Sequence, residues 1–474
     1  MQCAALEQAL PGDVAYPNST SYIQSNVYWS DQQSETHPQC FVTPRSQDSV
    51  STVMRILIEH DAPFNVRSGG HIPYTEGSNI ANGVTVNLVH LNEVEISPDR
   101  QTVSVGPGNR WGNVTDVLEP MNLAVVGGRD MNVGVSGLAL GGGISFFSGQ
   151  RGWACDNVRR FEVVLASGDV IYASPNENND LYWALRGGGG SNFGIVTRFE
   201  LTAFDQGQMW FNNLSFPGSL NETVVPVFQN LTTQGLPVSP EAHSFMSINY
   251  NASDGKYTTN VGLLYTTVPS SVPEIYKPFQ ELPSALVNET DVGGVSDFLR
   301  RLSTPYGGRW TWANIVVSAS FPPSFLAEMM QLYESRNVAL WDESDGDDIV
   351  PALLFNAIPT NVLAAMQQNG GNPLGLESLG EALMIISFPT FWTEARNDEL
   401  VETATLQLIA DVAAKAEEHQ VYHPYVYMNY ANAKQKVFES YGNENYARLE
   451  SVAKKYDPEG KIAKLWKGHL KLSE

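Results

Sequence analysis

Short apolar runs broken by glycine-rich stretches fill the first part of the chain; longer alternating runs and long helical runs fill the rest. Ser46-Gln47-Asp48-Ser49 precedes the amphipathic run 50–58, which predicts a helix capped by a Ser or Asp side chain. Segments 64–67, 84–88 and 102–105 read as short strands, the last stopped by Gly106, Pro107 and Gly108. Segments 113–118 and 180–185 predict helices, and 161–166 and 169–173 flank Ser167-Gly168, a hairpin signal. Residues 1–40 interleave Asn, Ser, Pro and Gln and read as irregular. Composition shifts near Phe204-Asp205-Gln206-Gly207. Beyond it, strands are predicted at 245–250, 257–265, 312–317 and 383–388, with helices at 324–336 and 395–418. This pattern fits a mostly antiparallel sheet covered by helices. From Tyr425 the chain reads as a strand, a loop and a helix over 444–455.

A chain of 474 residues exceeds one typical core and implies two or three compact units. The short strands of the first half, without repeated βαβ units of dinucleotide-fold length, read as α+β. A net charge of −23 argues against nucleic acid or an anionic membrane as partner. No apolar run approaches the roughly 20 residues of a membrane span. Asn-x-Ser/Thr acceptors at Asn18, Asn113, Asn213, Asn221, Asn230, Asn251 and Asn288, with the acidic balance, suggest a secreted glycoprotein. Met1 is then read as replacing a removed signal peptide. Cys3 and Cys40 are free to pair in an oxidising compartment, and Cys155 reads as a small buried hydrophobe.

The candidate chemistry starts at Val66-Arg67-Ser68-Gly69-Gly70-His71. Adjacent glycines let backbone N–H groups crowd a phosphate, and Arg67 adds a fixed positive fork. Three more such stretches follow: Val125-Val126-Gly127-Gly128-Arg129, the run from Gly134 to Gly143, and the run from Leu185 to Gly194. The plainer reading is sheet turns; four clusters in one half count against it. His243, His423 and His469 show no metal-ligand spacing, and no metal is expected.

With these stretches, Cys155-Asp156-Asn157-Val158, Tyr427-Met428-Asn429-Tyr430 and Lys455-Tyr456-Asp457-Pro458 complete a set spanning residues 40 to 460. The set resembles the FAD-linked oxidases of the vanillyl-alcohol oxidase and berberine-bridge-enzyme type, closest to the secreted fungal members. The resemblance implies a two-lobed FAD-binding domain (1–205, completed by 421–474) and an antiparallel-sheet substrate domain covered by helices (206–420). It places FAD against Arg67, Ser68, Gly69, Gly70, His71, Gly127, Gly128, Val133 and Gly134. It adds Val135, Gly137, Leu138, Gly141, Gly142, Asn192, Gly194, Ile195, Val196 and Asn429. It implies a covalent bond from His71 to the flavin 8-methyl carbon. Where some relatives have a second link through cysteine this chain has Asp130, so a single link is expected. Val133 would line the approach of dioxygen.

Tyr427 is expected as the proton-accepting base, with Tyr430 second; the plainer reading is aromatic residues in a core strand. The aromatic stretches Arg309-Trp310-Thr311-Trp312 and Phe388-Pro389-Thr390-Phe391-Trp392 suit stacking on a substrate ring or core packing. The expected reaction is hydride transfer to flavin with reoxidation by dioxygen to hydrogen peroxide, in a monomer acting on a small molecule. A secondary-metabolite alcohol or an oxidative cyclisation comes first as substrate class. A carbohydrate is second, and a flavin-binding relative without turnover is the alternative from another class.

Overall fold

The computed structural model describes residues 1–251, 255–344, 348–376 and 380–472. Its first half builds two sheets. One has four strands in the order Val14–Ala15, Cys40–Val42, Val84–Asn87, Phe64–Arg67, and the last three run parallel. Val84–Asn87 alternates in sequence, yet all four residues are buried, because parallel neighbours flank it on both sides. The Gln47–Glu59 helix begins at a capping box between Ser46 and Ser49 and packs Val50, Val53, Met54 and Leu57 against this sheet. The second sheet is antiparallel and centres on Ile195–Asp205, which pairs with Thr102–Val105, Val158–Val164 and Leu123–Val125. The hairpin into Val170–Ala173 turns at Gly168, whose φ of +81° suits glycine.

The second half is a ten-stranded sheet among the described residues. Its central strands send alternate residues to opposite faces, and Leu383–Ser387 is buried on both. Met246, Ile248, Leu353, Phe355, Met384 and Ile386 pack beneath the Asn221–Asn230, Pro323–Glu343 and Asp398–Glu418 helices. The opposite face looks toward the first half, with Leu383 and Ile385 in the core shared with it. At the C-terminal end Ile462, Leu465 and Trp466 return to the core around Phe64 and Val84.

Two local expectations are corrected. Residues 1–40 are not irregular: Gln2–Ala9, Thr20–Ser25 and Asp31–Ser34 are helical, and Val14–Ala15 is a strand. Leu6 and Cys3 face inward from the first helix, and Cys3 is bonded to Cys40. Nor does a strand run from Tyr425. Tyr422–His423 is a two-residue strand, and Met428–Tyr430 is a turn of 3₁₀ helix. The Tyr427 backbone pairs with a side chain instead of a strand: Asn314 Nδ2 donates to its carbonyl at 3.1 Å and its N–H donates to Asn314 Oδ1 at 3.0 Å.

Candidate active site

A cavity of about 510 Å³ lies between the two halves. One wall is backbone. Gly69 and Gly134 meet back to back: a Cβ on Gly69 would sit 2.5 Å from Gly134 N and Cα, and one on Gly134 would sit 2.5 Å from Gly69 N. The two motifs therefore demand glycine of each other. Ser68, Gly70, His71, Val133, Leu138, Ile195 and Val196 line the same cavity, as do Tyr427, Asn429 and Tyr430.

Other predicted residues lie behind this wall. Gly127 and Gly128 press on the Trp111 ring, where Cβ atoms would approach to 2.4 and 2.5 Å. Gly141 abuts Asn429 Oδ1, Gly142 abuts Trp153, and Gly194 abuts the Val164 carbonyl. Val135 is fully buried in the core. Asn192 ties down the chain end, accepting from Leu472 N at 3.1 Å. Arg67 donates to the Ser25 and Val27 carbonyls and stacks 4.0 Å over Tyr28, so its fork is spent on the protein itself.

Three observations bear on what the cavity holds. His71 Nδ1, Ser78 Oγ and Ser136 Oγ are buried without partners, and all three residues line the cavity. Buried polar atoms are nearly always bonded, so these three atoms suit a polar ligand in the cavity. His71 is stacked on Trp29 at 4.1 Å; burial lowers its pKa, opposed in part by the Asp130 charge. Gly137 sits inside the Val135–Leu140 helix and lines the cavity, yet beyond its own helix backbone a Cβ there would meet nothing within 4 Å. Glycine inside a helix costs roughly 0.5–1 kcal/mol relative to alanine, and here only a cavity occupant would require it. Glycine-lined backbone, orphaned polar atoms and space suit a dinucleotide such as FAD.

The facing wall is built of side chains. In the paired strands Ala242–Asn251 and Ile349–Ile358, Phe245 lies opposite Asn356. Arg129 reaches across to this sheet. One Nη1–H donates to His243 Nε2 at 3.1 Å, while Nη2 donates to Asn356 Oδ1 at 2.9 Å and to the Tyr430 hydroxyl at 2.7 Å. Burial, then the neighbouring guanidinium, holds His243 well below its usual pKa, which keeps it a neutral acceptor. Tyr430 stacks on Trp312 at 4.8 Å and meets Tyr427 edge to face at 4.9 Å.

The two tyrosines differ. The Tyr427 oxygen is deeply buried and accepts from Ile144 N and from Asn429 Nδ2, both at 3.1 Å. Burial raises its pKa far above the usual phenol value. Tyr430 is half-buried, with a cation on its oxygen. Sequence reasoning passed over Arg129, His243 and Asn356 as site residues. Arg129 had one signal, a charge directly after Gly127-Gly128; Asn356 had none. Asp130 is held by the other half, accepting from Thr304 N at 2.9 Å and Ser303 Oγ at 3.1 Å. Cys155 is a buried free thiol whose pKa burial raises.

Fold and site together define a flavin-dependent oxidoreductase, and comparison with known proteins agrees. Residues 38–174 match a family model described as an FAD binding domain. Over 462 residues the chain is 36% identical to the FAD-dependent monooxygenase tpcD of Cochliobolus heterostrophus, covering 95% of this chain and 88% of that protein. The fold superposes on the carbohydrate oxidase of Microdochium nivale with a TM-score of 0.82 at 19% identity, covering 100% of both chains. It matches the glucooligosaccharide oxidase of Acremonium strictum at 0.78 and 17%, covering 99% and 100%; that enzyme's FAD is described as 6-S-cysteinyl, 8α-N1-histidyl. The chain belongs to the FAD-dependent oxidoreductases of the vanillyl-alcohol oxidase and berberine-bridge-enzyme-like family.

Proposed function

We propose that this protein is an oxidase of a small conjugated alcohol or phenol-bearing secondary metabolite, holding FAD through one covalent bond at His71. When bound, FAD accepts hydride from the substrate and passes the electrons to dioxygen. His71 Nδ1, buried without a partner, is the atom assigned to the link. A histidyl link is described for the Acremonium strictum enzyme. Asp130 offers no thiol for a second one.

The observation that carries the catalytic assignment is the 2.7 Å contact from Arg129 to the Tyr430 oxygen. Tyr430 takes the proton of the substrate hydroxyl as its phenolate and becomes the neutral phenol, and the guanidinium stabilises that phenolate before the transfer. Trp312 fixes the Tyr430 ring by stacking. Tyr427, with two N–H donors on its oxygen and burial opposing ionisation, supports the turn that presents Tyr430. Phe245, Leu354 and Trp312 give the substrate side apolar walls, which favours a flat conjugated ring over a sugar. Val133 lines the cavity and is assigned to the dioxygen approach.

The chain is read as secreted, with glycans on the exposed Asn18, Asn113, Asn230 and Asn288. Asn221 is buried against Thr259 and is left out of that set. Bleaching of the flavin by substrate without oxygen, then peroxide release on admitting air, tests the reading; a flavin that no alcohol, phenol or sugar reduces would overturn it. Oxygen insertion is a second reading, supported by the name of the Cochliobolus heterostrophus relative. Labelled dioxygen separates the two, since an oxidase puts the label in peroxide and a monooxygenase puts it in the product.

A further inference from the structure

With Tyr430 as the neutral phenol, Arg129 is a cation without a counter-ion. Its acceptors, His243 Nε2, Asn356 Oδ1 and the Tyr430 hydroxyl, are all neutral groups, and among the described residues no carboxylate lies within ion-pairing distance of it. Its sequence neighbour Asp130 is turned the other way, onto Ser303 and Thr304. An amide stands at position 356, where a carboxylate of the same shape would have paired the guanidinium at 2.9 Å. The three contacts leave the Nε–H and one Nη1–H without a protein acceptor, on a side chain that lines the cavity. The surroundings sharpen the point. Phe245 and Trp312 line the same space, the chain carries a net charge of −23, and an anion arriving at this cavity meets one fixed positive group aimed by three neutral ones.

We infer that Arg129 selects the substrate by an ionised acidic oxygen, borne on a flat conjugated ring as a carboxylate, a phenolate or the enolate of a 1,3-dicarbonyl. This rests on the reading of the cavity as the substrate site, and it adds the charge that the substrate must carry. The Nε–H and the free Nη1–H are the donors that receive that oxygen, while Nη2 keeps its hold on Tyr430. Neutral isosteres of the same ring fit the apolar walls but leave the cation desolvated and unpaired.

The test is titration calorimetry on the flavin-loaded protein with two matched pairs of probes. One pair is 2-naphthoate and 2-naphthamide; the other is 4-nitrophenol, at a pH where it is ionised, and 4-nitroanisole. The expected result is that at least one anion binds about tenfold or more tightly than its neutral partner, the gain of a charge-assisted over a neutral hydrogen bond. Which pair shows it tells carboxylate from phenolate or enolate. Arg129→Gln should remove the preference, and Arg129→Lys should retain part of it. Asn356→Asp, which changes one atom and pairs the guanidinium internally, should also remove it. Equal binding of anions and neutral partners by the unaltered protein would overturn the inference, as would a preference that survives Arg129→Gln. Calorimetry reads binding, so an inactive but anion-selective protein would sink the oxidase reading alone. An active but charge-blind one would sink this inference alone.

Discussion

The two walls of the cavity are made in different ways. The first-half wall is backbone: Gly69 against Gly134, with Gly137 open to the space between them. Its shape is set by what cannot be present, since a single Cβ at Gly69 or Gly134 would strike the facing chain at 2.5 Å. The sheet wall is side chain: Phe245, Leu354 and Asn356 project from strands whose other face packs under helices. Its shape is set by what is present, and a substitution there changes chemistry before it changes fold. The lesson is a division of labour. A backbone wall suits a constant dinucleotide, whereas a side-chain wall on a stable sheet is free to vary with the substrate.

The sharpest way to break this comparison is at the junction of the walls. Tyr430→Phe should slow flavin reduction by about 10²–10⁴-fold, the usual cost of losing a general base, while flavin content stays normal. Tyr427→Phe should act mainly on stability. It strands the Ile144 N–H and one Asn429 N–H, the other staying on the Leu138 carbonyl, a loss of roughly 1–3 kcal/mol, with a smaller effect on reduction. Anaerobic stopped-flow beside thermal melts reads both. A larger kinetic loss for Tyr427→Phe would exchange the two roles.

Next in size are the glycines. Gly69→Ala should cost about 1–3 kcal/mol by overpacking and release the flavin as well. Gly137→Ala meets nothing beyond its own helix backbone, so the flavin-free protein should be unharmed or more stable by roughly 0.5–1 kcal/mol, yet bind flavin poorly. Melting curves with and without flavin separate the two. Full flavin content in Gly137→Ala would show that the cofactor does not fill that space. The smallest expected effect is at Val133, where leucine adds one methylene to the oxygen approach. Reoxidation of the reduced protein by dioxygen should slow several-fold, with flavin reduction nearly unchanged. An unaltered oxygen rate would remove Val133 from that role.

The same contrast explains what could be read from the sequence. Glycine runs and the R-S-G-G-H loop carry their steric meaning locally, so the first wall was visible in outline. Which glycines face the cofactor was not. Gly127 and Gly128 look identical to the others in sequence but are required by the Trp111 ring. Alternation announced the second-half strands, and the α+β reading rested on the short strands of the first half. Alternation does not say which face meets the other half, and Asn356 reads as an ordinary strand residue until Arg129 is seen to reach it. The Tyr427 segment failed for a related reason. Its aromatic residues suit a strand, but the Asn314 side chain, 113 residues away in sequence, takes the backbone bonds that a neighbouring strand would make.

The central claim is that the backbone wall holds FAD through His71, and one measurement tests it most directly. The purified yellow protein is unfolded in acid or detergent, digested, and its peptides are separated with flavin fluorescence and mass recorded together. The account predicts one fluorescent peptide, containing His71, heavier by one flavin adenine dinucleotide less two hydrogens and with no second attachment at Asp130. Flavin recovered entirely free in solution, with the His71 peptide at its unmodified mass, would contradict it.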